Sequence, residues 1–311
     1  VKVAVLKEGR SFERGVSLRS GARVQDALTR LGHEVVAIDA GVELVDELAG
    51  HGPEVAFIAM HGPGGEDGTV QELLEILGIP FTGPGVAACV RCIDKALAKH
   101  ELRASGVPTP DWLAFNETAF RELGAANALD GLEERFGFPL VVKPSRGGSA
   151  LGVKFAAGRE EVPAALVSAF SYDDRVVLER FVEGRELAVS ILGDAPLPIV
   201  EAIPTGGDRY DFEARYEIGR TSFTCPAELS EEQEAAVNSA ALAAYEALGC
   251  TGFSRVDLIL EDAGPQVLEV NAIPGLTDTS LLPQSAEAAG MSFEELVDRI
   301  LRLASPAASR A

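Results

Sequence analysis

The sequence predicts an α/β protein of two or three domains, opening on a parallel sheet covered by helices on both faces. Three observations predict it. Short apolar strands alternate with helical spacing through the first third. A Gly/Pro-dense segment, Gly78 to Gly85 (GIPFTGPG), interrupts that alternation. Near the C-terminus two apolar runs flank Asp262-Ala263-Gly264, the pattern of an antiparallel hairpin. A chain of 311 residues has the length for that many domains.

Lys2 to Leu6 (KVAVL), Glu34 to Ile38 (EVVAI) and Glu54 to Met60 (EVAFIAM) read as strands. Ser17 to Leu31 has helical spacing through Leu18, Ala22, Val24, Leu28 and Leu31, and Val70 to Leu77 is a helix closed by Gly78. No GxGxxG follows the first strand, so a dinucleotide site is poorly supported. A helix around Cys92 to Ala104 is ended by Pro108 and Pro110. Phe138 to Lys143 (FPLVVK) and Arg175 to Val182 (RVVLERFV) read as further strands, and the last third holds Glu186 to Leu192, then a polar loop from Pro204 to Arg220. Ser230 with Gln233, and Ser292 with Glu295, are capping-box pairs that open two late helices, the first closed by Gly249 and the second running to Leu303. Ser305 to Ala311 reads as a loose tail.

The formal charge of −21 argues against nucleic acid or anionic membranes as partners, and it requires local cations around any phosphate ligand. Cys89, Cys92, Cys225 and Cys250 are expected as reduced thiols in a cytoplasmic protein, with Cys89 and Cys92 as packed small residues. No charged-then-apolar leader opens the chain and no apolar run approaches membrane-spanning length.

Pairing the C-terminal hairpin about Ala263 sets Asp257 opposite Glu269 and Arg255 opposite Asn271. Alternation then puts these four polar groups on one face and Val256, Leu258, Leu260, Leu268 and Val270 on the other. Two carboxylates and an amide carbonyl are hard oxygen ligands suited to Mg²⁺ holding phosphates. A cross-strand salt bridge on a solvated face is the competing reading; Asn271 and the loop after it favour metal. A Gly/Ser loop, Pro144 to Gly152 (PSRGGSALG), follows Lys143 at the end of an apolar strand. Its glycines let backbone N–H groups approach phosphate oxygens and let the loop fold as a lid. It is not a P-loop, because GxxxxGK[ST] is absent. Lys95, Lys143, Arg215 and Arg255 can supply the local positive charge.

These pieces together resemble the ATP-grasp superfamily, and within it the D-alanine:D-alanine ligase family. The motifs are SFERGVSL from Ser11, HGPGGEDG from His61, Asp94-Lys95, KPSRGGS from Lys143, YDFEARY from Tyr210, CPA from Cys225, RVD from Arg255 and EVNAIPG from Glu269. The resemblance implies three domains: residues 1–85 as an N-terminal Rossmann-like substrate domain, 86–183 as a central domain with the lid, and 184–305 as a C-terminal domain with the metal site. The last two would sandwich ATP, leaving 306–311 as tail. By matching position it implies that Glu13 holds the first D-alanine's ammonium and bonds with Ser149 and Tyr216, with His61 near that substrate. Lys95, Lys143 and Arg215 would contact ATP phosphates under the Ser149 lid. Glu179 would meet the adenine amino group with backbone from Arg180 to Val182, and Glu186 the ribose. Asp257, Glu269 and Asn271 would bind two Mg²⁺ (or Mn²⁺), Arg255 and the Gly275 N–H would form an oxyanion hole, and Ser280 and Leu281 would receive the second substrate's carboxylate. Arg215 stands where the family usually has lysine, and Glu8-Gly9 where it usually has two glycines.

The implied activity joins two D-alanines through an acyl phosphate, in the cytoplasm of a bacterium, for cell-wall precursor synthesis, by an enzyme that is a homodimer. Two alternatives stay open: D-serine or D-lactate as second substrate, or a non-catalytic nucleotide-binding homologue acting as a sensor.

Overall fold

The computed structural model describes residues 1–304 except 8, 10, 12, 124–130 and 205–220. Glu8, Arg215, Tyr216 and the tail from Ser305 lie outside the described residues. The first unit runs β1 (Lys2–Lys7), α1 (Arg14–Arg30), β2 (Glu34–Asp39), α2 (Leu44–His51), β3 (Val55–Ile58) and α3 (Thr69–Ile76). Its sheet has the order β2-β1-β3 and is parallel throughout. The middle of β1 and all of β3 are buried, as strands covered on both faces must be. Gly21 lets α1 close on the sheet: a Cβ there would lie 2.6 Å from the Lys7 Cβ. Helix α2 is an element the periodicity did not announce; Gly52, left-handed at φ +57°, ends it.

Next come α4 (Val86–Ile93), α5 (Lys95–Ala104), β4 (Trp112–Asn116), α6 (Glu117–Arg121), α7 (Leu132–Phe136), β5 (Leu140–Pro144), β6 (Lys154–Ala156), α8 (Val162–Phe170) and β7 (Arg175–Arg180). The helix expected over Cys92 to Ala104 is two helices. They break at Asp94, whose backbone is extended and whose carboxylate accepts from Leu97 N at 3.0 Å and Ser145 Oγ at 2.7 Å. An aspartate that caps a new helix stops the old one, and Lys95 thereby becomes the first residue of α5. The central sheet is antiparallel in the order β4-β7-β5-β6.

The last part holds β8 (Arg185–Leu192), β9 (Ala195–Pro196), β10 (Val200–Pro204), β11 (Thr221–Thr224), α9 (Glu231–Ala247), β12 (Phe253–Glu261), β13 (Gly264–Asn271), α10 (Leu281–Ala288) and α11 (Phe293–Arg302). Its antiparallel sheet is ordered β11-β10-β8-β12-β13, with β9 added on β8. Both capping boxes form, at Ser230 with Gln233 and at Ser292 with Glu295. Among the described residues no helix is long and apolar enough to cross a membrane.

One hydrophobic cluster runs from the N-terminal sheet (Val3, Leu6, Phe57) through α4 and α5 to the C-terminal sheet (Val189, Val256, Val270). The central sheet has its own cluster around Leu140, Val142, Leu166 and Leu178. Two cores that do not merge leave a cleft between the sheets they support. Cys89 and Cys92 pack in the larger core, with the free thiol of Cys92 3.5 Å from that of Cys250.

Candidate active site

The cleft between central and C-terminal sheets opens into a cavity of about 860 Å³. Its walls are apolar: Val141, Phe155, Phe181 and Val182 on one side, Ile259 and Leu268 on the other. Its polar groups gather from Lys95, Lys143, Glu179, Glu186, Asp257 and Glu269. Flat apolar walls with charges concentrated among them suit a heterocycle carrying an anionic tail. A second cavity of about 1320 Å³ shares Gly148, Ala150, Glu186, Asp257 and Glu269 with the first. It continues to Glu13, His61, Arg255, Asn271, Gly275, Ser280 and Leu281.

The hairpin of β12 and β13 supplies the seam between the cavities. Arg255 pairs with Asn271 and Asp257 with Glu269, as the sequence predicts. The turn differs from expectation: Glu261 pairs with Gly264, so two residues make the turn, and the register shifts next to Asp257. The shift leaves Leu268 as an extra residue in β13, a bulge. Val267 takes the core position opposite Leu258, and Leu268 lines the first cavity instead of joining the core as alternation predicts.

Asp257 receives a two-pronged contact from Arg255, Nε to Oδ1 and Nη2 to Oδ2, both 2.7 Å, and Asn271 Nδ2 donates to its Oδ2 at 3.0 Å. Lys95 Nζ lies 3.1 Å from Glu269 Oε2. Burial pushes the Glu269 carboxyl up, but Lys95, Lys143 and Arg255 outweigh it and hold it below the usual carboxylate range. Ionised oxygens backed by an amide fit a hard divalent cation. Among the described residues no group of three or more His, Cys, Asp or Glu side chains gathers for a metal. The seam offers two carboxylates and an amide.

The lid begins at Arg146, which is anchored to Asp173 and Asp174. Lys95 Nζ donates to Gly147 O at 2.7 Å, joining the lid to the Glu269 side of the seam. Ser149 and Ala150 stand at φ +52° and +50°, where L-residues carry strain of about 1–3 kcal/mol each. Ser149 Oγ donates to Glu13 Oε1 at 2.5 Å, so the strained tip is held against the N-terminal unit. Gly62 and Gly148 crowd the same carboxylate: a Cβ on either would lie 2.6 or 3.1 Å from a Glu13 oxygen. Burial, then the nearby Glu66, raise the Glu13 pKa; Ser149, His61 and Lys95 pull the other way and do not win.

His61 is tied on both sides. Its Nδ1 lies 2.9 Å from Ile273 O and its Nε2 3.0 Å from Ser20 Oγ, and the Ser20 oxygen accepts from Leu276 N at 3.1 Å. A carbonyl only accepts, so Nδ1 carries the proton there. The ring pins the loop that carries Gly275. Gly275 has no room for a side chain, since a Cβ would sit 2.6 Å from Ser280 Oγ. Ser280 begins α10 but turns its hydroxyl back to Thr277, accepting from its N–H at 3.0 Å.

Glu179 is buried at 2% exposure and held by two lysines: Lys143 lies 2.8 Å from Oε2 and Lys99 2.8 Å from Oε1. Arg180 turns away to Glu261 on the hairpin, at 3.2 Å. Lys99 is a residue the sequence reading missed. Its signal was its place on the buried stripe Ala96, Lys99, Leu102 of α5, where a cation needs a partner.

Two antiparallel sheets gripping a cleft beneath a glycine-rich lid, with an oxygen-donor seam on one sheet, define the ATP-grasp fold. Models of the D-ala D-ala ligase N-terminus and C-terminus match residues 42–84 and 102–302. The D-alanine–D-alanine ligase of Syntrophotalea carbinolica is 46% identical over 98% of this chain and 96% of its own length. A crystal structure of D-alanine–D-alanine ligase from Bacillus anthracis superposes with a TM-score of 0.86 at 37% identity, covering 97% of each chain. A structure of D-alanine–D-alanine ligase from the same organism complexed with ATP gives 0.83 at 35% identity, covering 97% of this chain and 96% of that one. The chain belongs to the D-alanine–D-alanine ligase family.

Proposed function

We propose that this protein joins two D-alanines to D-alanyl-D-alanine at the expense of ATP, for peptidoglycan precursor synthesis in the bacterial cytoplasm. One observation carries the reading: the apolar cavity and the Glu13 cavity meet at Glu186, Asp257 and Glu269 under one lid. A nucleotide tail in the first and a carboxylate in the second would face each other there.

In this reading Phe155, Phe181, Ile259 and Leu268 enclose the adenine, Glu179 and the backbone from Arg180 to Val182 read its edge, and Glu186 takes the ribose. Lys95 and Lys143 hold the phosphates, with Arg215 from the segment outside the described residues. Asp257, Glu269 and Asn271 hold two Mg²⁺. Such ions neutralise the phosphates and polarise the transferring group. Glu13 orients the first D-alanine through its ammonium. One oxygen of that substrate's carboxylate attacks the γ-phosphorus, ADP leaves, and an acyl phosphate forms. Ser280 and Leu281 seat the second D-alanine. Its amine, once deprotonated, attacks the acyl carbon and inorganic phosphate departs. Arg255 and the Gly275 N–H stabilise the oxyanion between these events, a donor function whose loss typically costs on the order of a hundredfold in rate. Ser149, with Tyr216, closes the lid on Glu13 and keeps water from the acyl phosphate.

The domain reading goes with it: 1–85, 86–183 and 184–305 as substrate, central and C-terminal units, in a homodimer. The test is phosphate release from ATP and Mg²⁺ with D-alanine alone, then with L-alanine, D-serine or D-lactate added. Equimolar phosphate and D-alanyl-D-alanine, with no mixed product, is the expected result. Preferential D-serine or D-lactate products would move the reading to the alternative second substrates. No release with any acceptor would leave the sensor.

A further inference from the structure

We infer that Lys99 is a positioning residue for the nucleotide tail: by neutralising Glu179 from behind, it leaves the charge of Lys143 available to phosphate. The inference rests on the ATP reading of the cleft. Glu179 and Lys143 both line the cavity; Lys99 does not, being fully buried on α5. The three side chains form a line, Lys99 to Oε1 and Lys143 to Oε2 of one carboxylate, each at 2.8 Å. Two cations share one anion, so the line carries one excess positive charge. With Lys99 absent, Lys143 and Glu179 would cancel each other, and the cavity end would offer a phosphate no net attraction from that pair.

Lys99 is fixed for this task. Its Nζ donates to Thr109 Oγ1 at 2.8 Å, whose hydroxyl donates to Val267 O on β13 at 2.8 Å. The Trp112 ring lies 5.7 Å from the ammonium. The charged groups facing it are Glu179 from β7, Lys143 from β5 and Arg103 on its own helix. Burial lowers its pKa to about 8, with Glu179 resisting and Lys143 adding to the fall. Its ammonium therefore titrates near the upper end of the physiological range.

The readout is the ratio of adenosine to ATP dissociation constants, because adenosine reports the base and ribose contacts and ATP adds the tail. Lys99→Met keeps the length and volume of the side chain without its charge. It should lower the ratio on the order of tenfold, with adenosine binding little changed. The double variant Lys99→Met/Glu179→Gln leaves Lys143 without a competing anion and should restore the ratio. An unchanged ratio in Lys99→Met, or one that the double variant fails to restore, overturns the inference. If Lys99→Met does not fold, the wild-type ratio measured from pH about 7 to about 9 keeps the test: it should decline, and a flat ratio overturns the inference. Wild-type protein that binds neither adenosine nor ATP would overturn the nucleotide reading itself, an outcome distinct from binding with an unaltered ratio.

Discussion

Glu13 carries its carboxylate into surroundings that disfavour its charge. Burial and Glu66 raise its pKa, and Ser149 only partly offsets them. The folded state therefore holds that proton more tightly than the unfolded chain does. Its stabilising effect is complete below the ordinary carboxylate range and is lost as pH rises through the raised folded value. Above that value the ionised Glu13 is a liability that a bound ammonium would relieve. Glu13→Gln should melt at the same temperature as wild type or higher at neutral pH, with any gain vanishing towards pH about 4. The same variant should raise the KM for the first D-alanine by about tenfold or more, the loss of a charged hydrogen bond. Lower stability together with an unaltered KM would remove the ammonium contact. Asp257→Asn should keep the fold, since an amide still accepts from Arg255, while turnover falls on the order of a hundredfold or more. Circular dichroism melts and phosphate release check both halves. Lys99 shows what a single sequence hides: a lysine on a helix reads as a surface cation, and only Glu179, from a distant strand, explains its burial.

At the scale of elements, the β12–β13 hairpin was the most legible part of the site, because alternation fixes which side chains share a face. Asp257 and Glu269, Arg255 and Asn271 pair as their positions about the turn require. The path to that pairing was not legible. A two-residue turn alone would have shifted β13 by one position, and the bulge at Leu268 restores it. A bulge leaves no mark in an apolar run, so Leu268 and Val267 exchanged their expected places. The break at Asp94 had a local signal, an acidic cap before a helical run, yet continuous helical spacing concealed it. The lid was legible as a glycine loop, and the family resemblance implied the bond of Ser149 to Glu13; the anchor at Asp173, a remote residue, was not legible. Its far end turns at Gly152, φ +76°, where a Cβ would lie 2.6 Å from the Tyr172 ring and 2.9 Å from Pro144. Gly152→Ala adds a left-handed penalty of about 1–2 kcal/mol to that clash. It should loosen the closed lid, so that phosphate release exceeds dipeptide formed as water reaches the acyl phosphate. A one-to-one ratio in this variant would show that the lid's closure does not depend on this turn.

For the whole molecule, composition and strand-helix alternation made the N-terminal parallel sheet legible, and the apolar strands of the later sheets as well. How the sheets face each other was legible only through the family resemblance, because it depends on which cores merge. The N-terminal and C-terminal sheets share one core, while the central sheet keeps its own. A nucleotide between the last two is bound by bodies that are otherwise only partly joined. ATP at about 100 times its dissociation constant should add about 2.7 kcal/mol to unfolding, read as a rise in melting temperature; no rise would show that ATP does not bind the folded protein preferentially.

Val267 joins those two bodies where the chain enters the central sheet. Its N–H donates to Pro108 O at 2.8 Å and its carbonyl accepts from Thr109 Oγ1 at 2.8 Å. With both backbone polar groups of one residue claimed by the stretch entering the central sheet, that border works like the spine of a book. Arg180 to Glu261 and Ser149 to Glu13 are further clasps between the covers.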